Sequence, residues 1–205
     1  APLSSFETTT IFDVDFNADS SLINYATKSF KLSIFDIAKA VVKDSITFPP
    51  GPIASPFFGP LNSGPLNPSL CAVAVQNYIY IVDSVSNSII STIPAERRHI
   101  FTALQFSPDE KKLVVAESRD NVGFECNYYL YDISSQTKIL LSDNKIWSYP
   151  AIAFSKDGAI LATAKNTAIE LDEPMSPFVF RPLYSLTGYS NKISALDFSP
   201  TMSDG

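Results

Sequence analysis

The hydrophobic residues of this chain recur in short runs that are typical of β-strands. Leu22–Ala26, Leu113–Ala116 and Ile160–Ala164 are each four or five residues long and lie between polar turns. No stretch keeps the 3.6-residue period of an amphipathic helix over several turns. Short strands at regular spacing, with turn residues between them, predict an all-β repeat architecture.

Two sequence phrases repeat about every 45 residues along the chain. The first ends an alternating run in phenylalanine and continues into a turn such as Ser-Pro-Asp or Lys-Asp-Gly, with copies at Phe16, Phe106, Phe154 and Phe198. The second closes a strand with aspartate, with copies at Asp36, Asp83, Asp132 and Asp172. A third apolar run lies between the two phrases and a further one follows the aspartate, so each repeat is predicted to hold four short strands. The phenylalanines and aspartates are predicted to be structural positions of the repeat.

Four strands per repeat and a recurring strand-closing aspartate resemble the WD-repeat (WD40-like) β-propeller family. The resemblance covers nearly the whole chain and implies four-stranded antiparallel blades at residues 11–44, 65–94, 100–142 and 150–187, with the start of another at 193–205. Four blades and one further strand would leave apolar sheet faces uncovered, so we expect an incomplete propeller that is part of a longer chain. The family's Trp-Asp pair and its Gly-His pair are both missing here.

A segment rich in proline and glycine, residues 45–69, interrupts the pattern with seven prolines from Pro49 to Pro68. Proline donates no backbone hydrogen bond, so the segment is predicted to be a loop insertion on the rim. A degenerate first strand packed on the edge is the alternative. Candidate interaction residues in two predicted loops are Pro56, Phe57 and Phe58 in this segment, and Arg119 and Phe124 in the long connection of the third repeat.

Composition and charge exclude several functions. Hydrophobic residues make up 45% of the chain, enough for a core, so a disordered chain is excluded. The net charge of −6 and the absence of a basic cluster argue against nucleic acid as a partner. No apolar run is long enough to insert into a membrane, and no signal peptide is recognisable, so we expect an intracellular, cytoplasmic protein.

The residues that could carry chemistry are few, so we expect no enzyme activity, cofactor or metal. His99 is the only histidine, and it follows two arginines in a predicted connection between repeats, which favours a solvated loop. Cys71 and Cys126 are predicted to be buried thiols, with a disulfide as the alternative. The repeated turn acids Asp19, Asp109 and Asp157 are predicted turn formers, because nothing in the sequence selects a catalytic pair among them.

The resemblance therefore implies a non-enzymatic scaffold that binds other proteins within a larger assembly. A narrower similarity, carried by the run Ala72–Asp83 and by the Phe-Ser-Pro-Asp unit that follows it, is to the opening blades of ciliary and microtubule-associated WD-repeat proteins. It implies association with microtubules or the axoneme, in the cytoskeleton or a cilium. The alternatives are a propeller subunit of a chromatin, nuclear-pore or coat complex, and a propeller hydrolase.

Overall fold

The computed structural model describes residues 10–27, 29–49, 58–96, 99–119, 125–147, 150–176 and 179–199. The regular elements in this part of the chain are sixteen β-strands, which form four antiparallel sheets of four strands each. The expectation of an all-β repeat of four-stranded antiparallel sheets is therefore confirmed. Within the described ranges, no helix is long and apolar enough to cross a membrane.

Each sheet is built from four consecutive strands that pair in chain order. Sheet 1 contains β1 (Ile11–Phe16), β2 (Leu22–Thr27), β3 (Lys31–Asp36) and β4 (Val41–Thr47). Sheet 2 contains β5 (Phe58–Ser63), β6 (Leu70–Val75), β7 (Tyr78–Asp83) and β8 (Ser88–Pro94). Sheet 3 contains β9 (His99–Phe106), β10 (Lys112–Arg119), β11 (Glu125–Asp132) and β12 (Thr137–Trp147). Sheet 4 contains β13 (Ile152–Phe154), β14 (Leu161–Lys165), β15 (Ala168–Ser176) and β16 (Val179–Leu186).

The chain divides into two compact units, residues 1–101 and 102–205, with the division inside β9. In the first unit, sheets 1 and 2 bury their facing apolar side chains in one core, to which Leu32 and Val73 contribute. Phe48 and Tyr80 stack in this core with ring centroids 4.7 Å apart. Alternate residues of a strand point to opposite faces, so a strand buried on one face supplies every second residue to such a core.

In the second unit, sheets 3 and 4 pack in the same way. Ala116, Tyr128 and Leu130 of sheet 3 meet Ile152 and Leu161 of sheet 4, and all five side chains are buried. The Tyr128 hydroxyl donates a hydrogen bond of 2.7 Å to the backbone carbonyl of Ala164. The tyrosine thus joins the two sheets while its polar atom stays satisfied.

The Pro/Gly-rich segment 45–69 is not a loop throughout, which corrects the prediction. β4 continues to Thr47, and β5 occupies Phe58–Ser63 and pairs with β6. Pro60 is tolerated because β5 is the edge strand of sheet 2 and its register shifts between Phe58 and Leu61. For residues 58–63 the structure has the edge strand that was the alternative, while residues 50–57 lie outside the described ranges.

Candidate functional site

The turns that follow Phe106 and Phe154 are each held together by their aspartate. The Ser107 hydroxyl donates to Asp109 Oδ1 at 2.6 Å and accepts the Lys112 N–H at 3.0 Å. Ser155 and Asp157 repeat the same pair in sheet 4, also at 2.6 Å. The hydrogen bond from Ser155 lowers the pKa of Asp157. These carboxylates are therefore engaged in local structure.

The strand-closing aspartates cap the next turn in three of the four sheets. Asp83 Oδ1 accepts the N–H groups of Val85 at 2.8 Å and Ser86 at 3.1 Å. Asp132 Oδ1 accepts the N–H groups of the corresponding residues, Ser134 at 3.1 Å and Ser135 at 2.9 Å. These bonds, with that from Ser135 the strongest, lower the pKa of Asp132 to about 2. Asp36 caps its own turn by accepting the Lys39 N–H at 3.0 Å.

Asp172 departs from this pattern and does not close its strand, which corrects the sequence-based expectation. It pairs with Leu161, the first residue of β14, in the same register in which Asp132 pairs with Lys112. However, β15 continues past it to Ser176 and pairs with β16 over this extension. Asp172 is half-buried, and burial is the main cause that raises its pKa. Lys165 opposes that increase through its positive charge.

Two prolines explain why the fourth sheet has a longer hairpin. Pro174 stands two residues after Asp172, where Ser134 donates its N–H to Asp132 in sheet 3. Proline has no N–H, so this cap cannot form. In sheet 3, Gln136 lies four residues after Asp132 and adopts a left-handed conformation with a φ of 56°. The equivalent residue in sheet 4 is Ser176, which precedes Pro177, and a residue before proline favours extended backbone. The strands therefore continue where the other sheets turn.

Asp172 lines a cavity of about 140 Å³ between sheets 3 and 4. Lys165 also lines the cavity, so it has one acidic and one basic side chain in its lining. The remaining lining residues are mostly apolar or aromatic: Tyr128, Leu141, Leu161, Thr163, Phe180 and Pro182. Apolar walls with a few convergent polar groups are the usual composition of a binding pocket, and this volume suits one side chain or a small group.

A second cavity, of about 170 Å³, shares Phe180 with the first and reaches the turn acids Asp109 and Asp157. We call the two cavities together the hairpin cleft. Beside them, the extension of β15 and β16 is closed by an ion pair between Glu173 and Arg181. The hairpin exposes Met175 and Val179 to solvent, with 55% and 56% of their surface accessible. The hairpin that contributes Pro174 and Phe180 to the cleft thus also exposes apolar side chains to solvent.

The repeated phenylalanines and the candidate interaction residues differ widely in burial and position. Phe106 is buried and Phe154 is half-buried against the core of the second unit, whereas Phe16 is 56% exposed. Phe198 is half-buried, and the structure assigns no strand to residues 193–199, so the first strand of a further blade expected there is wrong for the described part of that stretch. Arg119 is exposed at the end of β10, and Phe58 begins β5. Pro56, Phe57 and Phe124 lie outside the described residues.

The histidine and the two cysteines all lie in strands. His99 is half-buried at the start of β9, where its backbone N–H donates to the Glu96 carbonyl at 2.9 Å, so the expected solvated loop is wrong. Cys71 and Cys126 are both free and buried, which contradicts a disulfide. Burial raises the pKa of the Cys126 thiol to about 11, so it stays protonated and unreactive at neutral pH.

The hairpin cleft was missed by the sequence analysis, although a signal for it is present. In the second and third repeats, the residue two positions after the aspartate has an N–H that reaches the carboxylate. A proline at that position in the fourth repeat predicts that the turn is lost. The cavity itself depends on packing between two sheets, which no local pattern contains.

A scan against protein-family models finds no match for this chain, and a search of curated proteins finds none either.

Proposed function

We propose that this chain belongs to a β-propeller of the WD-repeat type that acts as a non-enzymatic scaffold, and that it binds other proteins at the hairpin cleft. The repeated four-stranded meanders and the repeated capped turns support the propeller assignment. In such proteins a regular framework holds irregular elements in fixed positions, and the irregular elements bind partners.

The observation that carries the proposal is the release of Asp172 from turn capping. Asp83 and Asp132 are each held by two backbone N–H groups, so their carboxylates serve the fold. Asp172 instead lines a cavity beside Lys165, next to a hairpin that exposes Met175 and Val179. A departure from a repeated structural rule, where it creates a pocket with charged groups, marks a functional position.

Site-specific photo-crosslinking in native extract tests this proposal. A photo-crosslinking amino acid is placed at Val179 on the hairpin and, as the matched control, at Val14 of β1, since both valines are 56% exposed. We expect discrete protein adducts from position 179, reduced about tenfold by Asp172→Asn, which corresponds to one lost charged contact of about 1.4 kcal/mol. Identical adducts from both positions, or adducts that Asp172→Asn leaves unchanged, would contradict the proposal.

Microtubules are the first assembly to test as a partner, because of the narrower resemblance carried by Ala72–Asp83. Cosedimentation with polymerised tubulin is the direct measurement. We expect the chain in the pellet at saturating polymer, and a weaker association for Asp172→Asn. A chain that stays in the supernatant would remove microtubules from the proposal and leave the scaffold function to the crosslinking experiment.

A further inference from the structure

The outermost strands of the four sheets differ in how they protect their free edges. Each sheet pairs its strands in chain order, so the edges are formed by β4, β8, β12 and β16 on one side. An edge strand invites pairing with another chain, and charged residues or prolines normally prevent it. β4 carries Lys43 and Asp44, β12 carries Lys138, and β16 carries Arg181 and Pro182. β8 has the sequence Ser-Ile-Ile-Ser-Thr-Ile-Pro, without a charge and without a proline before its last residue.

β8 also exposes apolar side chains. Ile89 and Ile90 have 42% and 56% of their surface accessible, and Val85 in the preceding turn is exposed as well. The whole stretch 84–95 contains no charged residue, although 18% of the chain is charged. A short, uncharged segment rich in β-branched residues is the kind of edge that pairs with another strand.

Among the described residues no strand pairs with the outer side of β8, so its backbone offers hydrogen-bonding groups there. The Ala95 N–H points towards the neighbouring strand, since it donates to the Asn77 carbonyl at 2.8 Å. Backbone N–H groups of a strand alternate in direction, so those of Ile93 and Ser91 point the same way and that of Thr92 points outward. Pro94, the next outward position, has no N–H to leave unsatisfied. Pairing with another strand is therefore available over the part of β8 that precedes Pro94.

We propose that two copies of this chain associate through β8, which pairs antiparallel with β8 of the second copy about a twofold axis and forms one continuous eight-stranded sheet. A strand that pairs with β8 must be extended and free of charge, because a charge placed against Ile89 and Ile90 would be desolvated without a partner. β8 meets this requirement itself. Each copy has a net charge of −6, but the edge that meets in the pair is neutral. An antiparallel pair of identical strands is self-complementary, as a twofold interface requires.

Sedimentation equilibrium over about a hundredfold range of concentration tests the proposal. We expect a reversible monomer–dimer equilibrium for the unaltered chain and a dimer Kd raised at least about tenfold by Ile89→Lys, because the two introduced charges repel across the axis. Val42→Lys is the matched control: Val42 is 43% exposed on β4, an edge that already carries charge. A chain that is monomeric at every concentration, one that forms larger open-ended oligomers, or an equal effect of both variants would overturn the proposal.

Thr92→Pro tests the backbone contact separately. It removes the outward N–H of β8 and leaves the inward groups of Ser91 and Ile93 in place, so the monomer should keep its strand content by circular dichroism. We expect this variant to remain monomeric where the unaltered chain is dimeric. If Thr92→Pro folds and still forms the dimer with unchanged Kd, then the interface does not use the edge of β8.

Discussion

Pro174 stands two residues after Asp172, at the position whose N–H caps the equivalent aspartate in the second and third sheets. The missing N–H converts a turn into a longer hairpin and turns a structural carboxylate into one that lines a cavity. Asp132 and Asp172 thus occupy one register position with opposite physical roles, and this difference can be measured.

Removing the two carboxylates should have different consequences for stability. Asp132→Ala deletes the acceptor for two backbone N–H groups, so the free energy of unfolding should fall by about 0.5–2 kcal/mol. Asp172→Asn removes a half-buried charge that caps no turn, so it should leave the free energy of unfolding unchanged or raise it by at most about 1 kcal/mol. Denaturant midpoints of the two variants measure this difference in stability. Equal losses of unfolding free energy would mean that Asp172 belongs to a hydrogen-bonded network.

The pKa values of the two aspartates should be shifted in opposite directions from the ordinary value. The pKa of Asp132 is about 2 in the folded chain against an ordinary value of 3.8, so its stabilising contribution is present above pH 3.8 and is lost as the pH falls towards 2. Asp172 has a raised pKa, so the folded state holds its proton more tightly and its contribution to stability falls as the pH rises through that pKa. Carbon-13 NMR of the side-chain carboxyls measures both. An Asp172 that titrates at or below 3.8 contradicts the burial argument.

The strands and most turns could be predicted from the sequence because both depend on local patterns. Alternating apolar residues and the Ser107–Asp109 turn contain the information for their own conformation. β5 could not be predicted in this way, because Pro60 breaks the pattern and only its place at a sheet edge makes it tolerable. The cavity beside Asp172 and Lys165 depends on how sheets 3 and 4 pack, so it is absent from any one segment.

The repeated phenylalanines should differ widely in their contribution to stability, although they share a sequence phrase. Phe106 is 1% exposed, so Phe106→Ala should lower the free energy of unfolding by about 3–5 kcal/mol through lost burial and a residual cavity. Phe16 is 56% exposed, and Phe16→Ala should cost about 0.5 kcal/mol or less. Urea unfolding followed by tryptophan fluorescence gives both values. A large loss for Phe16→Ala would show that a partner surface covers it in solution.

Asp15 should hold β5 to β1 through its carboxylate. Its Oδ2 accepts the Ser63 N–H at 2.8 Å, and Asp13 binds the Leu61 N–H at the same distance. Asp15→Ala leaves a partly buried N–H without its acceptor, which should cost about 1–3 kcal/mol. Asp15→Asn keeps an acceptor oxygen and removes a carboxylate whose pKa is raised by burial, so it should lower the free energy of unfolding by less than Asp15→Ala does. Hydrogen exchange of the Ser63 amide should accelerate in the alanine variant only; equal rates in the two variants would argue against this hydrogen bond.

Sheet 3 contains an ion pair between Glu117 and Lys138. The side chain of Glu117 is fully buried, and its Oε1 lies 2.6 Å from Lys138 Nζ and accepts the Tyr131 hydroxyl at 3.3 Å. The ammonium group also lies 3.7 Å from the centre of the Tyr129 ring, where a cation is attracted to the aromatic face. Lys138 thus places a positive charge beside a carboxylate whose side chain is removed from solvent, and such a pair is costly to break.

Replacing one partner of this pair should be worse than replacing both. Lys138→Met leaves an uncompensated buried carboxylate and should lower the free energy of unfolding by about 3–5 kcal/mol, the range for a broken buried pair. Adding Glu117→Gln to Lys138→Met removes that charge and should recover a large part of the loss, since the amide oxygen still accepts from Tyr131. A double-mutant cycle at neutral pH measures the coupling. Strictly additive losses would mean that the pair contributes no interaction energy to stability.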